Sequence, residues 1–112
     1  VFKTLVVHLD NNDLAVAVVP VSASLSMKLM ARAAGAKKAA MADRAEAERS
    51  TGYVLGGVSP LGQKKRLKTI IDMTAAEFDS IFVSAGRRGL EIELKPDDLK
   101  TLTSGMYADI RQ

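Results

Sequence analysis

Gly56-Gly57-Val58-Ser59-Pro60 is the segment of this chain with the best means of handling an acyl group. Glycine has no Cβ and serine is small, so backbone N–H groups there can reach a carbonyl oxygen or the oxyanion it becomes. In acyl transfer that contribution is commonly larger than that of any single side chain. A Gly-x-x-x-Pro pattern is also an ordinary turn. Lys3 is the second such residue. By strand alternation it shares a side with Leu5, Val7 and Leu9, the apolar set, and a lysine directed at a core needs an explanation. Either a pocket receives its ammonium, or the strand starts frayed and the ammonium reaches water along its aliphatic stem.

Cations supply the next candidates. Lys64, Lys65, Arg66 and Lys68 fall within five positions after Gln63, enough to contact phosphates, although a solvated basic loop has the same composition. Arg87-Arg88 offers a second patch with the same two readings. Tyr53 can stack a base or pack internally; with aromatics at 4% of the chain, packing is favoured. His8 is the sole histidine. No orienting partner stands at a motif spacing from it, which favours a half-exposed strand residue over a general base.

Other chemistries lack their residues. The chain has no cysteine, which excludes disulfides, thiolate metal sites and a cysteine nucleophile. It shows no Gly-x-Ser-x-Gly elbow, no Gly-x-x-x-x-Gly-Lys loop and no metal-ligand spacing, so neither a metal nor a cofactor is expected. The balance of 16 Lys and Arg against 13 Asp and Glu gives a net charge of +3, compatible with a polyanionic partner. The longest apolar stretch, Leu14 to Val21, contains Pro20 and is far short of a bilayer span. A cytoplasmic monomer without membrane contact is expected.

The elements that must position these groups are legible from pattern. The 112 residues, 47% hydrophobic, suit one domain, 1–112. Phe2 to Asp10 and Leu14 to Val19 read as strands joined by the turn formers Asp10 to Asp13. Ser26 caps a predicted helix to Ala34, with Leu25 and Met30 as a hydrophobic staple, a stripe of Met27, Met30, Ala31 and Ala34, and Gly35 as the stop. Lys37 to Met41 suits a short strand, and Asp43-x-x-Glu46 opens a helix through Arg49. Thr69 to Met73 reads as a strand, Thr74-x-x-Glu77 as a capping box, and Ser80 to Ser84 with Leu90 to Leu94 as a hairpin. Pro96 then begins a helix that Gly105 ends at Ser104. The irregular, hairpin-rich alternation predicts an α+β fold with mixed β-sheets surrounded by short helices.

Taken together, Ser50-Thr51-Gly52-Tyr53, Gly56 through Leu67 and Thr69-Ile70-Ile71-Asp72 resemble the YbaK/ProX group of aminoacyl-tRNA deacylases. Phe2-Lys3-Thr4-Leu5, Leu14 to Val18, Leu29 to Lys38, Ser84 and Arg88-Gly89-Leu90 are similar too, in order and across essentially the whole chain. The resemblance implies a free-standing relative of the editing domain of prolyl-tRNA synthetases, which clears cysteine from mischarged tRNA(Pro), with tRNA and the synthetase as partners. Its essential lysine maps to Lys3. Thr4, Gly56, Gly57, Val58, Ser59, Pro60, Ser84 and Glu91 map to the substrate pocket, and Lys64, Lys65, Arg66 and Arg88 become phosphate contacts. The chemistry it implies uses no protein nucleophile: the substrate's own thiol attacks its ester carbonyl. Alanyl-tRNA or another small-amino-acid ester is the neighbouring substrate, and a non-catalytic tRNA- or synthetase-binding module is the alternative of another class.

This sequence departs from the family pattern in three places. Glu91 stands where aspartate is usual, Lys68 replaces a proline, and the family's N-terminal segment, with its pocket tyrosine, is not represented. If that segment is missing from the whole protein, an open pocket is expected.

Overall fold

The computed structural model describes residues 1–112. Strands β1 (Phe2–Leu9) and β2 (Leu14–Pro20) form the expected antiparallel hairpin. Asn12 takes a left-handed φ of 69° in the turn, where its short polar side chain tolerates that region. Helix α1 (Met27–Ala33) follows, with the Ser26 hydroxyl accepting from the Leu29 N–H at 3.1 Å. Strand β3 (Ala39–Met41) and helix α2 (Arg44–Thr51) come next, the latter capped by Asp43 and ended by left-handed Gly52. Strands β4 (Lys68–Asp72), β5 (Ile81–Arg87) and β6 (Leu90–Leu94), helix α3 (Pro96–Thr103) and strand β7 (Met106–Ala108) complete the chain.

A five-stranded mixed sheet runs β3-β1-β2-β4-β7, with β4 parallel to both β2 and β7, while β5 and β6 form a separate two-stranded sheet. Three helices surround them, as the α+β expectation holds. Ala15 to Val19 are all buried, because β2 is covered on both faces and has no solvent side to alternate toward. Val7, Leu9, Ala15, Ala17, Val19 and Ile70 pack with Leu25, Met30 and Ala34 of the α1 region. Phe2, Val16, Val18 and Ile71 pack on the opposite face with Ile81 and Val83 of β5 and Leu99 of α3. No helix is long and apolar enough to cross a membrane.

Three expectations change. Thr74-x-x-Glu77 forms no capping box: Met73–Glu77 is a short 3₁₀ turn capped from before by Asp72, whose carboxylate accepts from the Thr74 N–H and hydroxyl. The competing partner wins because Asp72 is fully buried and also receives the Ile110 N–H at 3.1 Å and Arg111 Nε at 3.2 Å. At the end of α3 it is Ser104, at φ 52°, that turns left-handed. Gly105 instead allows close approach to β4: a Cβ there would lie 2.8 Å from Thr103 Oγ1 and 3.1 Å from the Thr69 carbonyl oxygen. Strand β7, which that approach permits, was not anticipated.

Candidate active-site cleft

No strand pairs with Phe2–Leu5 on the side away from β2, since β3 reaches only Val7–Leu9. This free edge of β1, the β5-β6 hairpin and the loop after α2 enclose an open cleft of about 540 Å³. Lys3, Thr4, Gly56, Val58, Ser84 and Glu91 all line it. Ser84 and Glu91 are direct cross-strand partners, so they face the cleft from one side of the hairpin. Lys3 and Thr4 are consecutive, and alternation gives them opposite faces; both reach the cleft because β1 presents an edge there rather than a face. Lys3 takes part in none of the ion pairs, and the pocket reading of its apolar-side position is the one the cleft supports.

The N–H groups of Gly56 and Val58 have no hydrogen-bond partner within the chain, whereas that of Gly57 donates to the Val54 carbonyl at 3.0 Å. Two free donors on one short loop, beside a lysine, can hold a carbonyl oxygen as it gains negative charge. The Thr4 hydroxyl adds a buried side-chain oxygen without a partner.

Gly57, Ser59 and Pro60 do not line the cleft. Gly57 seats the hairpin turn: a Cβ on it would come 3.2 Å from Arg87 Cα and from the Gly86 carbonyl oxygen. Ser59 is buried, its Oγ accepting from the Leu61 N–H at 3.1 Å and its carbonyl from the Gln63 amide at 2.9 Å. These residues shape the loop. The Tyr53 hydroxyl donates to the Leu61 carbonyl and its ring lies against Gly86, which makes it a packing residue. Glu48 of α2 accepts from the Leu55 N–H at 3.0 Å and from Arg44 Nε at 3.2 Å. Those bonds, the Leu55 one foremost, hold its carboxyl below the ordinary glutamate range.

The proposed phosphate contacts are dispersed. Lys65 and Arg66 share a smaller cavity of about 180 Å³ with Pro60 and Thr103, where Arg66 Nη1 donates to the Ser104 hydroxyl at 2.5 Å. Lys64 lies against Gly52. Lys68 caps α1 through the Ala34 carbonyl at 3.1 Å. Arg88 rests on Gly56, beside the cleft but not among its lining residues. His8 stands apart, its Nδ1 3.0 Å from Glu46 Oε1 and its Nε2 3.4 Å from Asn12 Oδ1. The bond to Glu46, then that to Asn12, raises its pKa.

Sequence reasoning missed Arg87 as a lining residue, along with the apolar rim of Val21, Leu55 and Leu90. The rim residues are exposed and carried no periodic signal. Glu48 was missed because, four residues from Arg44, it reads as half of a surface ion pair.

The model of the aminoacyl-tRNA editing domain matches residues 1–102. EbsC of Enterococcus faecalis, whose proposed activity is Cys-tRNA(Pro)/Cys-tRNA(Cys) deacylation, is 42% identical over 110 residues, covering 98% of this chain and 67% of EbsC. The uncharacterized Bacillus subtilis protein YwhH is 31% identical over 74 residues, covering 65% of this chain and 47% of YwhH. The crystal structure of hypothetical protein APE2540 superposes with a TM-score of 0.90 at 26% identity, over 100% of this chain and 74% of that one. The fold is also that of a protein proposed as a trans-editing enzyme for prolyl tRNA synthetase, with a TM-score of 0.89 at 22% identity over 99% and 69% of the two chains. A family match over nearly the full length and a relative above two-fifths identity lead to one conclusion: the chain belongs to the aminoacyl-tRNA editing domain family.

Proposed function

We propose that this chain is a trans-editing aminoacyl-tRNA deacylase that removes cysteine from mischarged tRNA(Pro) in the cytoplasm. The observation that carries the reading is the convergence of Lys3 and Thr4 from β1, Gly56 and Val58 from the loop after α2, and Ser84 and Glu91 from the hairpin on one cleft. In the reaction, the cysteinyl sulfur forms a bond to the ester carbonyl carbon and the carbon–oxygen bond to the ribose breaks. The thiol proton passes to the departing ribose hydroxyl, leaving a cyclic thiolactone that water opens to cysteine. The protein's share is positioning and charge stabilisation. The free N–H groups of Gly56 and Val58 receive the carbonyl oxygen, Lys3 offsets the developing charge, and Glu91, the carboxylate of the cleft, takes the substrate ammonium.

The test is a deacylation time course of wild type and Lys3→Ala on cysteinyl-, alanyl- and prolyl-tRNA(Pro). Lysine-dependent loss of cysteine with proline left intact is the expected result. Faster loss of alanine would move the substrate to a smaller side chain and remove thiol cyclisation. Absence of hydrolysis on all three would reduce the protein to a tRNA- or synthetase-binding module.

A further inference from the structure

Arg88 is exposed at the tip of the β5-β6 hairpin, and its side chain reaches back to the loop after α2. A Cβ on Gly56 would fall 2.8 Å from Arg88 Nη2, 3.3 Å from Nε and 3.5 Å from Cζ, so the guanidinium lies against the bare Cα of that glycine. Its backbone passes the same loop: the Arg88 nitrogen would be 3.4 Å from a Cβ on Gly57. None of the ion pairs includes it. An unpaired planar fork is suited to a phosphate.

Gly56 joins this cation to the acyl site. Its N–H is one of the two free donors in the cleft, and its Cα is the seat of Arg88, so the anion that Arg88 meets belongs to the part of the substrate next to the ester. In an aminoacylated 3′ end, the nearest formal negative charge is the 5′-phosphate of the ribose that carries the amino acid. We propose that Arg88, seated on Gly56, holds this phosphate, the two residues acting as one positioning unit beside the cleft; the inference rests on the deacylase reading above. The absent Cβ of Gly56 thus serves the arginine rather than the substrate, and Arg88 has a different task from Lys65 and Arg66 at the other end of the loop.

The experiment compares two small esters, 2′(3′)-O-cysteinyl adenosine 5′-monophosphate and 2′(3′)-O-cysteinyl adenosine, with the 112-residue chain and its Arg88→Gln and Gly56→Ala variants, each corrected for uncatalysed loss. Wild type is expected to prefer the phosphorylated ester by about tenfold in kcat/KM, as for one charge-assisted hydrogen bond. Arg88→Gln is expected to erase the preference while retaining its rate on the unphosphorylated ester. It should also reduce the slope of log kcat/KM for cysteinyl-tRNA against log salt by about 1. Gly56→Ala should erase the preference too, while also slowing both esters because a side chain there displaces a loop donor. Gly56→Ala also places a side chain at φ 91°, so its folding is checked by thermal unfolding, and Arg88→Gln carries the test without it. A wild type indifferent to the phosphate, or a preference that survives Arg88→Gln, overturns the assignment while leaving the deacylase reading intact. If wild type hydrolyses neither ester nor mischarged tRNA, the deacylase reading fails and this inference falls with it.

Discussion

The carboxylate of Glu48 accepts the backbone N–H of Leu55 at 3.0 Å, tying the middle of α2 to the residue that precedes Gly56. The cleft loop therefore inherits its position from a helix rather than from its own sequence. Glu48→Ala is expected to lower kcat/KM by on the order of 10-fold through misplacement of the loop donors, with thermal stability nearly unchanged because the side chain is only half buried. The Leu55 N–H, then Arg44, lowers the Glu48 pKa from 4.5. The brace is therefore complete above that value and lost as pH falls through the lowered one. The Leu55 amide resonance should stay fixed from pH 8 to about 5 and move only in more acidic solution, as read by NMR titration.

Thr4 separates function from stability. Its hydroxyl is buried without a partner, so replacing it by the similarly shaped valine removes an unsatisfied group. Thr4→Val should leave stability unchanged or raise it by about 1 kcal/mol in urea unfolding. Deacylation should fall, because the cleft loses a side-chain oxygen available to the substrate. A loss of stability equal to the loss of activity would assign Thr4 to the fold alone.

His8 is a strut between β1 and α2, not a base. His8→Ala should retain deacylation. The Glu46 bond, followed by that from Asn12, raises the histidine pKa above 6.5. Its contribution is thus fully present below 6.5 and disappears as pH rises through the folded-state value. The difference in Tm between wild type and variant should be larger at about pH 5.5 than at about pH 8.5.

Asp72 tests the closure of the sheet. Its buried carboxylate meets Thr74, the Ile110 N–H and Arg111. Asp72→Ala strands a buried backbone donor and frees Arg111, and should cost about 3–5 kcal/mol in urea unfolding. A cost below about 1 kcal/mol would show that the tail is held by Ile110 packing instead.

Local signals in the sequence were sufficient for elements whose causes are local. Ser26 caps α1, Asp43 caps α2 and Asn11-Asn12 turns the first hairpin, each within three or four residues of what it controls. Lys3, Thr4, Gly56, Val58, Ser84 and Glu91 were also legible, through family resemblance, but their assembly was not. Alternation assigned Lys3 to a face, when the missing partner strand beside Phe2–Leu5 makes it an edge residue. The capping box at Thr74 failed because Asp72 is fixed from 38 residues away, and no window of local sequence contains that partner. Gly57, Ser59 and Pro60 read as ligand contacts because small residues are ambiguous: the space they leave is filled here by the hairpin turn and by hydrogen bonds within the loop.

Asp72 also sets when the domain can become itself. Synthesis delivers residue 72 well before Ile110 and Arg111, a lag of about 2–8 s at roughly 5–20 residues per second. Within that interval, once residue 91 is made, every cleft residue from Lys3 to Glu91 is present, yet β4 lacks its second parallel neighbour and the carboxylate lacks its cation. The nascent chain therefore carries a nearly complete hydrophobic sheet with an open side until Ile110 and Arg111 arrive to close it.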